Sequence, residues 1–237
     1  MEPVLYIAGD VHLRNGHGDF AIWLDELARK APAHLVILGD LFDYWLETDD
    51  AVARYQPVLN RLRALGAAGW RIDLVRGNRE AVAGRRLEAA GHLTLVWPAL
   101  DVRLGGRTIR IVHGDRLCHD PGYRALASIL TSFPFRWWQR LHPAVVQDTI
   151  ARWMRRTSKG SRPQPAGKRG PFLDARRVVA AARGADALVA GHIHEAWTRR
   201  IRGVEVWLVG DWPPGHGHWI VGFRDGTLRA QGDGGRV

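Results

Sequence analysis

The sequence predicts an α/β fold built in stacked layers. Six short runs rich in Val, Ile and Leu recur at residues 4–8, 35–38, 71–75, 108–112, 187–190 and 204–209. Stretches with apolar residues at helical spacing separate several of them, and most runs stop abruptly at Gly, Asp, Asn or His. Continuous rather than alternating apolarity marks strands covered on both faces, and strands that alternate with helices make a layered α/β domain.

Taken in order, residues 4–8 form the first strand. A helix over 19–30 follows, with Phe20, Ile22, Trp23, Leu24 and Leu27 in one apolar stripe and Asp19 placed as its cap. After the strand at 35–38, residues 51–65 repeat the helical pattern through Val52, Tyr55, Val58, Leu59, Leu62 and Leu65. Strands at 71–75 and 108–112 lead to a segment, 122–177, that breaks the rhythm. There Val145, Val146, Thr149, Ile150, Trp153 and Met154 share a helical face, Arg152, Arg155 and Arg156 lie off it, and residues 161–171 read as a loop. The segment is predicted to be a helical insertion within one domain spanning residues 1–237. Strands at 187–190 and 204–209 complete the core.

Composition narrows the function. The chain has 237 residues, 46% hydrophobic and 24% charged, which excludes general disorder. Its single cysteine, Cys118, excludes an internal disulfide and a four-thiolate zinc site and is expected to be a small buried hydrophobe. No run reaches the ~18 apolar residues of a membrane-spanning helix. Met1-Glu2-Pro3 leads straight into a strand, without a basic region or cleavage site, which predicts a non-secreted, cytoplasmic protein. The net charge is +10. Twelve basic and only two acidic residues lie between Gly122 and Arg177, so this segment carries the whole excess and points to an anionic partner. A nucleic-acid-binding module is one reading of that charge, but the basic residues are interleaved with helical apolar positions and no nucleic-acid motif appears.

The chemistry lies where the strands end. Gly9-Asp10-Val11-His12, Gly39-Asp40-Leu41-Phe42-Asp43, Gly77-Asn78-Arg79-Glu80, His113-Gly114-Asp115 and Gly191-His192-Ile193-His194 each follow a predicted strand. Groups at the carboxyl ends of strands converge on one crevice in layered α/β folds. Any one of these motifs is as readily an ordinary turn or helix cap; five in succession are not. Asp10, His12, Asp40, Asn78, His113, His192 and His194 are too many ligands for one tetrahedral ion and suit two ions that share a carboxylate. The donor set, imidazole, carboxylate and amide without thiolate, favours Mn, Fe, Co or Zn. Such a pair hydrolyses phosphoesters by activating water and neutralising phosphoryl charge. Asp43 and Asp115 are expected to orient ligands rather than bind metal.

The series GDVH, GDLFD, GNRE, HGD and GHIH resembles the calcineurin-like metallophosphoesterases over residues 4 to 212. The resemblance implies a two-sheet sandwich flanked by helices. It implies one ion on Asp10, His12, Asp40 and His194 and another on Asp40, Asn78, His113 and His192, with Asp40 bridging. Arg79 in place of the usual His, GDLFDYW with Trp45, HGDRLCHDPGY and the basic insertion together resemble the UDP-2,3-diacylglucosamine diphosphatases of lipid A biosynthesis. That narrower resemblance implies cleavage of the substrate pyrophosphate to UMP and 2,3-diacylglucosamine 1-phosphate by metal-hydroxide attack on phosphorus, with two divalent ions of the Mn2+ type. It also implies an insertion that serves as a lid, at the anionic inner face of the cytoplasmic membrane. Arg79 is expected to stabilise transition-state charge, beside Asp40, and Asn78, Arg79, Asp120, Ser158 and His192 to contact substrate. Asp120 and Ser158 are equally consistent with a turn and a loop position. The sequence departs from the family at Glu80, where Asp is usual, and at the tail from Pro213 to His218, where His216 and His218 are expected to be loop residues. Another nucleotide substrate, such as a UDP-sugar, is the alternative within the same chemistry.

Overall fold

A computed structural model describes residues 1–14, 18–118 and 173–232. Asp120, Ser158 and most of the 122–177 insertion lie outside the described residues. The first sheet has the order β11-β10-β1-β2-β3-β4, from β1 (Leu5–Ala8), β2 (His34–Ile37), β3 (Arg71–Val75), β4 (Thr94–Val96), β10 (His218–Gly222) and β11 (Leu228–Gly232). The second has the order β5-β6-β7-β9-β8, from β5 (Leu100–Leu104), β6 (Arg107–Val112), β7 (Ala187–Ala190), β8 (Trp197–Ile201) and β9 (Val204–Leu208). Strands β1 to β4 run parallel, as do β6, β7 and β9.

Side chains alternate along each strand, so every central strand feeds two cores. Leu5, Ile7, Val36, Leu38 and Val75 meet Ile109, Ile111, Ala187 and Val189 between the sheets. Tyr6, Ala8, Leu35, Ile37, Ile72 and Leu74 face the other way, against α1 (Asp19–Leu27), α3 (Gln56–Ala67) and α4 (Arg85–Gly91). Leu188, Ala190, Val206 and Leu208 form a third core with Val178 of α5 (Ala175–Ala181). The result is the expected two-sheet sandwich with helices outside, and all six apolar runs are strands in it.

The departures have local causes. The single helix expected over 51–65 is two, α2 (Asp49–Arg54) and α3, separated at Tyr55. Pro57 has no N–H to continue the first helix, and it sits in the opening turn of the second. Asp19 is not the cap of α1: Gly18 holds that position, and the Asp19 carboxylate accepts from Gly215 N at 2.8 Å instead. Strands β5, β8 and β11 have mixed burial, so they lack the continuous apolarity of the central strands. Cys118 is buried as expected and pairs through its backbone with Leu173 in an antiparallel bridge. No helix among the described residues is long and apolar enough to cross a membrane.

At the amino ends of the parallel strands, Asp73 is buried and accepts from His34 Nε2 at 2.8 Å and Arg71 Nε at 2.9 Å. Burial alone raises its pKa, but these two donors hold it net below the ordinary value. A carboxyl depressed on folding adds stability above its unfolded pKa, about 4, and the addition drains away as pH falls through the folded value. The melting-temperature gap between wild type and Asp73→Asn should therefore be wide at neutral pH and close in acid. A gap that is constant from neutral pH into acid contradicts this.

Candidate metal centre

Every residue expected at the site and described lies just past the carboxyl end of a strand. Asp10 and His12 follow β1, Asp40 follows β2, Asn78 and Arg79 follow β3, His113 follows β6, and His192 and His194 follow β7. The loops are tied to one another: Asp10 N donates to Gly39 O, His12 N to Asp40 O, and Gly191 N to His113 O. Asp10, His12, Asp40, His192 and His194 all adopt left-handed backbone, with φ between 48° and 70°. Among the described residues only His92 and Arg202 share this without being glycine. Asp, Asn and His tolerate that region best, and strain of this kind gathers at functional sites. The approach of the loops also needs glycine at two points. A Cβ on Gly77 would collide with Asp40 Oδ1, and one on Gly191 with Asp10 Oδ2.

Two clusters result. Asp10, His12 and His194 present ligand atoms within 4.8 Å of one another, and so do Asp40, His113 and His192. Asp40 connects them: its Oδ2 lies 4.0 Å from His12 Nε2 and its Oδ1 3.5 Å from His113 Nε2. The Asn78 amide oxygen lies 2.9 Å from His113 Nε2. All seven expected ligands are thus brought together in the order the strands dictate.

The donor set fits cations on several grounds. Asp10 Oδ1 is buried and accepts no hydrogen bond from the described residues, while Oδ2 accepts from His192 N at 2.6 Å. His12 Nε2 and His194 Nε2 face each other at 3.1 Å. The Asn78 oxygen points among the acceptor atoms of Asp40 and His192, an arrangement that a cation among them satisfies. Burial lowers the pKa of His12 and of His192 to about 4, so both are neutral, as metal binding requires. For His113, burial is overcome by the carboxylates of Asp40, Asp10 and Asp115, which push its pKa up to about 9. Its Nδ1 donates to Leu38 O at 2.7 Å, which turns Nε2 into the cluster. Burial raises the Asp10 carboxyl; Asp40 is also buried, but His113, His12 and Arg79 hold it down.

The sequence profile of the calcineurin-like phosphoesterases matches residues 4–196. The chain belongs to that family. Two curated relatives carry the name UDP-2,3-diacylglucosamine hydrolase. One, from Pseudomonas entomophila, is 34% identical over 201 residues, covering 81% of this chain and 82% of the relative. Another, from Ralstonia nicotianae, is 29% identical over 247 residues, covering 97% and 92%. The chain is accordingly a metal-dependent hydrolase, with the two clusters as its candidate seats for divalent ions.

Other residues of this phosphoesterase surround the clusters. Arg79 lies over Asp40, Nε to Oδ2 3.6 Å, with Nη1 donating to Asp43 O at 3.3 Å. Its side chain is 16% exposed, so the guanidinium reaches the crevice without being a surface group. Asp115 acts electrostatically on both His113 and His192. Two residues had no role in the sequence reading. Glu80, seen there only as a departure from the family, is fully buried and accepts from Asp40 N at 2.8 Å and Phe42 N at 3.2 Å. Asp211 lies 3.5 Å from His194 Nδ1. The signal for Asp211 was present: Gly210-Asp211 follows the run at 204–209 just as Gly9-Asp10 and Gly39-Asp40 follow theirs.

Proposed function

We propose that this phosphoesterase hydrolyses the pyrophosphate of UDP-2,3-diacylglucosamine to UMP and 2,3-diacylglucosamine 1-phosphate. The observation that carries the reading is Arg79 beside Asp40 within a paired ligand cluster, in a chain whose relatives bear that substrate's name. Asp10, His12, Asp40 and His194 would hold one ion, and Asp40, Asn78, His113 and His192 the other. The nitrogen and oxygen donors suit Mn2+. When bound, the ions supply an activated water and neutralise charge on the phosphoryl oxygens. Asp40 joins the two ligand groups, and Asn78 and His192 bring substrate oxygens against them. Arg79 presents a fixed cation to the phosphoryl group as negative charge develops. The leaving phosphate is already stable, so no strong general acid is needed where the wider family has His after Asn78. Asp120 and Ser158 are the proposed contacts to glucosamine and phosphate. The 122–177 insertion is the proposed lid, its arginines drawn to an anionic leaflet at the inner face of the cytoplasmic membrane by ~1 kcal/mol each.

Purified protein incubated with Mn2+ and UDP-2,3-diacylglucosamine should release UMP, lose that activity with a chelator and regain it when Mn2+ is restored. Release of UMP from UDP-N-acetylglucosamine but not from the lipid would assign the same chemistry to soluble nucleotides. Salt-sensitive polynucleotide binding without hydrolysis of any phosphoester would overturn the reading.

A further inference from the structure

We infer that Asp211 is a positioning residue that holds His194, and fixes its tautomer, for the ion shared with Asp10 and His12. The inference rests on His194 being a ligand. Asp211 Oδ2 stands 3.5 Å from His194 Nδ1. The opposite ring nitrogen, Nε2, faces His12 Nε2 at 3.1 Å and Asp10 Oδ1 at 3.9 Å. A carboxylate oxygen beside Nδ1 favours the tautomer with the proton on that nitrogen, which leaves the Nε2 lone pair turned into the cluster. A carboxylate behind a ligand imidazole orients the ring and makes it a stronger donor. His113 has the same device in weaker form, with the neutral carbonyl of Leu38 behind Nδ1.

The loop that carries Asp211 is built to hold it still. Its carbonyl accepts from His218 Nδ1 at 3.0 Å. The next residue, Trp212, packs among Phe20, Trp23 and Trp219, with ring centroids 5.1–6.1 Å apart. Further along, Gly215 N is tied to the Asp19 carboxylate at the start of α1. The stretch from Trp212 to His218 therefore anchors Asp211. His194 needs this support more than the other ligands do, because its side chain is 43% exposed whereas His113 is buried.

The test is Mn2+ binding to chelator-stripped protein, followed by competition with a chromophoric chelator. Wild type should bind two equivalents. Asp211→Asn should still bind two, with one of them about 10–100-fold weaker, and Asp211→Glu should recover most of the loss. Melting curves in chelator should be the same for all three, which separates positioning from a fold effect. His194→Ala should lose one equivalent. Asp211→Asn with both affinities unchanged would overturn the inference while leaving the paired centre standing. Asp211→Asn that loses one ion outright, as His194→Ala does, would make Asp211 a ligand and overturn positioning. His194→Ala that still binds two would remove the ligand assignment and the inference with it.

Discussion

Asp40→Ala should lower turnover on the order of a thousandfold or more while the chain still folds. Its two oxygens face different clusters, 4.0 Å from His12 Nε2 and 3.5 Å from His113 Nε2, so one substitution weakens both seats at once. It also removes the charge that Arg79 leans on and the acceptor that Arg79 N uses at 3.0 Å. The sheets do not depend on it: the Asp40 backbone N–H remains held by Glu80, and the cores lie on either side of β2, below the loop. Steady-state UMP release in Mn2+, with circular dichroism as the folding control, checks the expectation. Turnover near that of wild type would sink the two-ion reading of the site.

Glu80→Ala should cost both stability and activity. The carboxylate is fully buried and is the acceptor for two backbone N–H groups, those of Asp40 and Phe42. Each buried donor left without an acceptor costs about 1–3 kcal/mol, so a melting temperature lower by roughly 5–15 °C is expected for a chain of this size. Activity should fall because the same hydrogen bonds hold the Asp40 loop in its left-handed backbone. Burial and the neighbouring charge of Asp40 raise the Glu80 pKa. Glu80→Gln, which keeps one acceptor oxygen for one of the two N–H groups and turns its NH2 toward the other, should fall between wild type and alanine on both counts. Unchanged melting and unchanged turnover in the alanine variant would show that the loop needs no such support.

The residues made the centre of the fold legible and its margins less so. Strands β1, β2 and β7 are buried on both faces and read as apolar runs, and β3 does so apart from Asp73. The candidate ligand residues were legible for the same reason, since each run leads to a metal-capable side chain. Strands β5, β8 and β11 have mixed burial, and β10, although central, offers only Trp219, Ile220 and Val221 in succession. The break at Tyr55 was hidden because the apolar spacing continues across it; Pro57 was the clue. Asp211 was missed because the signal of a metal-capable residue at the end of an apolar run was followed on five runs and not on the sixth. Glu80 could not be assigned from pattern alone, since its partners are backbone amides 38 and 40 positions away.

The positive φ angles at Asp10, His12, Asp40, His192 and His194 restrict which amino acids those places can accept. Branched side chains are barred there by the main chain before any metal is considered, and even alanine is penalised by about 1–2 kcal/mol. Gly, Asn, Asp and His are the most at ease, and three of those four can ligate a divalent cation. Backbone geometry and coordination chemistry thus choose from nearly the same short alphabet. A drifting sequence that keeps these turns therefore tends to keep a metal site, even while the substrate changes around it.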